Sequence, residues 1–138
     1  MHKEIVQPEG IYAPTWQFSQ AIKVTRGSLV FVSGIMGFRP DGSMPQGIVA
    51  QADSAFDNLA KVLQAAGGGL SDIVKVYIYV YVGEDYQTHR DELREVRARY
   101  FTRDFPVSTP VQVAGFADPS YLFEVEAIAA LPQTSMAE

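Results

Sequence analysis

The chain has 138 residues, of which 47% are hydrophobic and 20% charged, and a formal net charge of −5; this suits one soluble globular domain over residues 1–138, with 1–16 and 132–138 peripheral. The absence of cysteine excludes disulfides, thiolate nucleophiles and cysteine metal sites, and His2 and His89 stand too far apart in sequence to suggest a histidine-rich metal site. The acidic balance opposes the phosphate attraction that nucleic-acid binders use, and with no apolar run of about 18 residues or apolar leader the expectation is no nucleic acid, no membrane and a cytoplasmic location.

In chain order, "QAIKVTRGSLVFVSG" (20–34) reads as two short strands joined at Arg26-Gly27-Ser28, which predicts a hairpin. After a loop with Pro40, Asp41-Gly42 and Pro45, the stretch from Ile48 to Ala66 places Ile48, Ala52, Phe56, Leu59, Val62, Leu63 and Ala66 at helical spacing. Gly67-Gly68-Gly69 then closes this amphipathic helix, whereas a phosphate-cradling glycine loop would open one.

"IVKVYIYVYV" (73–82) alternates, with Val74, Val76, Ile78, Val80 and Val82 on one face and Lys75, Tyr77, Tyr79 and Tyr81 on the other. The second face is aromatic rather than charged, which argues for a partner surface. A second helix is expected from about Glu84 to Phe101, with Tyr86, His89, Leu93, Val96 and Tyr100 on its inner stripe and His89 at the core boundary. "RDELREVRARYFTR" (90–103) interleaves both signs of charge, the pattern of a solvated helix face laced with pairs. "VQVAGF" (111–116), a turn at Asp118-Pro119-Ser120 and "YLFEVEAIAAL" (121–131) predict a second hairpin, and the tail from Pro132 is expected to fray. The order is β-β-α-β-α-β-β, an α+β arrangement with two helices packed on one face of a sheet.

That order, with "FSQA" (18–21), "VFVSG" (30–34), "AFDNLAKVLQAAG" (55–67), "LSDIVKV" (70–76) and "FEVEAIAA" (123–130), resembles the Rid family, the reactive intermediate deaminases also called the YjgF family. The resemblance runs from about Gln17 to Ala130. It implies a chorismate-mutase-like fold assembled as a homotrimer, whose sheets form an internal barrel and whose ligand clefts lie between subunits. For deaminating members it implies hydrolysis of small enamines and imines such as 2-aminoacrylate, with no cofactor and no metal.

The family's hallmark arginine, which clamps the substrate carboxylate within a Pro-Ala-Arg-Ser type run, is matched here by Ser108 in Pro106-Val107-Ser108-Thr109. A guanidinium fork offers paired charged hydrogen bonds where a hydroxyl offers one neutral donor, a difference of about 1.5–3 kcal/mol or more. The family's tyrosine near position 18 is Phe18, and Pro110 replaces a strand residue with a free N–H. Glu124 matches the glutamate near the attacking water, the catalytic expectation, with Glu126 on the same face. Ser33, Gly34, Ser108, Thr109 and Phe18 are the expected substrate contacts, and Arg39, Arg94 and Arg103, with Arg90, are the candidate replacements for the missing cation, although arginine is mostly a surface residue. On this reading Ser108→Arg restores carboxylate binding. Two functions remain: hydrolysis of a non-standard enamine, imine or related unsaturated metabolite, or non-catalytic small-molecule binding or sensing by a homotrimer; a ribonuclease role ranks below both.

Overall fold

A computed structural model describes residues 2–14 and 17–133. Its elements are β1 (Lys3–Val6), β2 (Ala21–Val24), β3 (Ser28–Ile35), α1 (Ile48–Ala65), a single 3-10 turn (Leu70–Asp72), β4 (Ile73–Tyr81), α2 (Glu84–Thr88), α3 (Arg90–Tyr100), β5 (Val107–Val113) and β6 (Phe123–Leu131). The strict alternation of β4 does what its sequence requires. Val74, Val76, Ile78 and Val80 are buried under the helices, and Lys75, Tyr77, Tyr79 and Tyr81 form the other face. Val82 falls just past the strand and is 49% exposed.

Neither expected hairpin forms. β2 pairs with β1, Lys3 opposite Val24 through Val6 opposite Ala21, while β3, β6, β4 and β5 make the main sheet in that order. Gly27 does reverse the chain at φ +117, but its Cα abuts the Leu131 carbonyl, so the turn carries the chain from one sheet into the other. Turn chemistry marks a reversal without naming the partner strand. At the other end, β5 runs parallel to β4 from Lys75 opposite Val107 to Tyr81 opposite Val113, and β6 inserts antiparallel between β3 and β4. β6 buries Phe123, Val125, Ala127 and Ala129 and belongs at the centre; β5 carries Pro110 and sits at an edge, where a missing N–H is tolerated.

α1 covers the sheet with Ile48, Ala52, Ala55, Phe56, Leu59 and Leu63, whereas Val62 and Ala66 turn outward. Gly67 ends it at φ +96, with Gly67 N–H to Gln64 O at 3.0 Å and Gly68 N–H to Leu63 O at 2.9 Å, a Schellman closure. Gln51, buried on this helix, donates to the carbonyls of Pro45 (3.0 Å) and Ser120 (2.7 Å) and accepts from Leu122 N–H (2.8 Å), so one side chain holds two loops. The expected second helix is broken at His89, which caps α3 with φ −110 and ψ 20 and bonds Glu92 at 2.6 Å instead of meeting the core. Residues 3–6, expected to be peripheral, form a strand whose Lys3 Nζ donates to the Ser71 and Ile73 carbonyls. Residues 134–138 of the tail expected to fray lie outside the described residues. Among the described residues no helix is long and apolar enough to cross a membrane.

Candidate functional site

The sheet separates the candidate residues into two groups. Side chains opposite one another on paired strands share a face, so Ser108, opposite Val76, and Pro110, opposite Ile78, look toward the helices. They meet α3, whose residues Leu93, Val96, Arg97 and Tyr100 recur at helical spacing along its inner stripe. Arg97 therefore faces inward at only 9% exposure, contrary to the solvated role expected of this arginine-rich segment.

The guanidinium of Arg97 stands where the sequence lacks one. Its Nη1 donates to Ser108 Oγ at 3.0 Å and its Nη2 to the Gln17 carbonyl at 2.7 Å, while the Phe101 ring lies 5.3 Å from its Cζ. Its Nε is buried with no partner, and among the described residues no carboxylate pairs with it. Burial pulls its pKa down to about 10, which leaves it protonated at neutral pH. A buried guanidinium with an unused donor and no counter-charge favours an anionic ligand.

Arg97 and Ser108 open onto a cavity of about 370 Å³ between α2, α3 and the β4–β5 side of the sheet. Phe18 and Pro110 line it with Phe56, Phe123, Ile78 and Leu93, and Arg90 and Arg94 contribute from the exposed side of α3. No carboxylate lines it among the described residues.

The second group lies on the open face. Glu124 stands opposite Tyr79 and Glu126 opposite Tyr77, and the Tyr79 hydroxyl donates to Glu126 Oε1, which pushes the Tyr79 pKa up to about 12. The Glu124 carboxyl is held above the usual carboxylate range, first by burial and then by the charge of Glu126. The irregularity between Val32 and Ile35 brings Gly34 against it: a Cβ at Gly34 would lie 2.6–2.9 Å from the Glu124 carboxylate atoms. Ser33 is exposed beside Gly34, and Thr109, opposite Tyr77, points to this face and away from Ser108. On the same face Leu29 and Phe31 are 52% and 71% exposed.

Of the expected site residues, the structure thus unites Phe18, Ser108 and Arg94 on the helix side and Glu124, Ser33, Gly34 and Thr109 on the other. Arg39 joins neither, because its Nη1 bonds Ser43 Oγ at 3.2 Å in an exposed turn, and Arg103 is exposed beyond α3. Arg97 was missed because charge interleaving was weighed over the spacing to Leu93 and Val96, which was the available signal. Among the described residues no cluster of three or more His, Asp or Glu side chains could hold a metal ion.

Comparison with known proteins agrees with this architecture. The family model described as Endoribonuclease L-PSP matches residues 10–131. A RutC family protein of Pyrococcus abyssi is 34% identical over 131 residues, covering 94% of this chain and 98% of its own. The 2-iminobutanoate/2-iminopropanoate deaminase of Mus musculus is 32% identical over 114 residues, covering 81% of this chain and 79% of its own. Among solved structures, the Rid-family protein YyfB of Yersinia pestis superposes with a TM-score of 0.84 at 26% identity, over 95% of this chain and 100% of that one. RidA of the Antarctic bacterium Psychrobacter sp. gives 0.68 at 29% identity, over 93% and 99%. With the mixed α+β order, helices packed on one sheet face and a family match over residues 10–131, the chain belongs to the Rid (YjgF) family.

Proposed function

We propose that this chain hydrolyses the imine or enamine of a small carboxylic acid, without cofactor, in a cleft completed by a second copy of itself within a homotrimer. The observation that carries the reading is Arg97, a buried guanidinium with no acidic partner among the described residues, aimed with Ser108 into an apolar cavity. It supplies from α3 the carboxylate anchor that β5 lacks, and neither Arg39 nor Arg103 is placed to do so. Rid-family relatives named 2-iminobutanoate/2-iminopropanoate deaminase support the reaction class.

The reaction needs an anchor, a water and a proton carrier. Arg97 holds the substrate carboxylate and so fixes the neighbouring C=N carbon. A glutamate accepts a proton as water oxygen bonds to that carbon, and the C=N electron pair takes a proton at nitrogen. The glutamate passes that proton to nitrogen, and the carbinolamine then collapses: the hydroxyl proton is carried to the amino group, the C–N bond breaks with its electron pair going to nitrogen, ammonia leaves and the carbonyl forms. Glu124 suits the carrier role, since its raised pKa lets it exchange protons nearer neutrality. It stands on the face opposite Ser108, so the Glu124 that serves one cavity comes from a neighbouring copy. The open aromatic face supports such an assembly, for Phe31 at 71% exposure with Leu29, Tyr77 and Tyr79 makes a large apolar surface on one chain.

The test is Arg97→Gln. Hydrolysis of imines generated in place by an amino-acid oxidase is expected to fall by about 10²–10³-fold, as loss of paired charged hydrogen bonds predicts. Retention of wild-type turnover by a folded Arg97→Gln protein would overturn the assignment. A second reading, ligand binding without catalysis, is favoured by the absence, among the described residues, of any carboxylate from the cavity wall. It would be established if 2-keto acids bind in an Arg97-dependent way while no imine is hydrolysed.

A further inference from the structure

The cavity carries more information than its anchor. Its buried part is apolar apart from Arg97 and Ser108: Phe56, Phe123, Ile78, Val80 and Leu93 form the wall with Phe18 and Pro110, while Tyr86 and the exposed Arg90 and Arg94 join from the helix side. Phe56 meets Phe123 edge to face at 5.5 Å and Phe101 at 5.6 Å, so an aromatic cluster backs the chamber. Phe18 and Pro110 both present apolar side chains to it. An apolar wall with a buried cation at one end fits an amphipathic anion.

Size points the same way. The volume of about 370 Å³ lies within the range of small-molecule sites, about 300–1,000 Å³. A three-carbon imino acid, about six non-hydrogen atoms at no more than about 30 Å³ each, fills less than half of it. A 2-imino acid with a benzyl side chain has about twice as many atoms and so occupies about twice as much of it.

We infer that the ligand of this site is a 2-imino monocarboxylate, or its 2-keto product, bearing a bulky apolar side chain of about benzyl size, with the carboxylate on Arg97 and Ser108 and the side chain between Phe56, Phe123 and Leu93. The inference rests on the proposed site and deepens it. A short imino acid leaves the apolar chamber unfilled and gains only the anchor. Each added methylene group buried there tightens binding by about fourfold until the chamber is full.

The experiment is a ligand series read by calorimetry on the wild-type protein, using stable 2-keto acids: pyruvate, 4-methyl-2-oxopentanoate and phenylpyruvate. Affinity is expected to rise along the series, with phenylpyruvate at least about 30-fold tighter than pyruvate. Leu93→Trp, which fills the chamber, is expected to weaken phenylpyruvate by about tenfold or more and so to shrink its advantage over pyruvate. Equal or tighter binding of pyruvate overturns the inference, as does the absence of measurable binding of any member. A parallel assay follows ammonia release from the imines that an amino-acid oxidase makes from alanine, leucine and phenylalanine. If phenylpyruvate binds best and no imine is hydrolysed, the hydrolase reading falls and the ligand class stands. If imines are hydrolysed with the alanine imine preferred, the hydrolase reading stands and the ligand class falls.

Discussion

On the helix side of the sheet a buried guanidinium faces a largely apolar chamber with no carboxylate in its wall among the described residues; on the open side two carboxylates share a face with tyrosines and exposed apolar residues. Each side holds charge that folding by itself leaves poorly compensated. Arg97 is desolvated with an unpartnered Nε, and Glu124 is disfavoured in its ionised form by burial and by Glu126. The physical cost is similar in kind, but the remedy differs. In the proposed assembly an anionic ligand would relieve the first, and a second copy brought against the open face would put the second beside that ligand. In an isolated chain both are penalties only; in the proposed assembly they would be opposite halves of one centre.

The comparison breaks most severely if the open face is spoiled. Tyr79→Glu would bury an unpaired carboxylate beside Glu124 and Glu126, at a cost of several kcal/mol. Light scattering is expected to give about three times the 15.2 kDa chain mass for the wild type and a single-chain mass for this variant. A wild type that stays monomeric at micromolar concentration would remove the trimer from the proposal.

The next effect separates the two sides. Because a Cβ at Gly34 would strike the Glu124 carboxylate, Gly34→Ala must displace it while leaving the helix-side chamber untouched. Turnover is expected to drop by about 10²–10⁴-fold, the usual worth of a positioned acid or base, with 2-keto acid affinity within about threefold of wild type. Equal losses of affinity and turnover would show that the halves are not distinct.

The anchor itself is sharpened at position 108. The sequence suggested that Ser108→Arg restores carboxylate binding, but Arg97 already occupies that place. Two guanidinium groups about 4 Å apart repel by about 4 kcal/mol at an effective dielectric near 20, so the single variant is expected to gain nothing. The exchange Ser108→Arg with Arg97→Gln is expected to recover part of the affinity, measured by calorimetry. Ser108→Ala, which removes only the hydroxyl that steadies Arg97, should cost about fivefold.

The smallest effects are in pH. Arg97 stays charged below its pKa of about 10, so carboxylate affinity is expected to be flat from pH 6 to 9 and to fall above pH 10. For Glu124 the folded pKa is raised above the unfolded one, so the folded state binds more protons between the two values and stability falls as pH rises through that window. Glu124→Gln is expected to match wild-type Tm near pH 4 and to exceed it slightly at pH 7. A larger wild-type advantage at pH 7 would reverse the sign and refute the shift.

Where the sequence pattern was periodic and local, it was legible. The alternation from Ile73, the helix from Ile48 and its closure at Gly67 follow from side-chain period and glycine geometry, and all appear in place. The break at His89 was not legible, since the inner stripe continues on both sides of it. Strand partnership was not legible either, because β1 with β2 and β6 between β3 and β4 depend on which buried rows find cover across long separations.

By itself the sequence determined most of the elements, the aromatic second face, the family and the serine at position 108, all of which reside in residue order and spacing. Only the tertiary structure decided that α3 returns a guanidinium to Ser108 and that Glu124 lies across the sheet from it. A helix face and a strand face become one site only when the crossover between β4 and β5 sets their distance. Neither the burial that makes Arg97 costly nor the packing that presses Glu124 onto Gly34 exists until those surfaces meet.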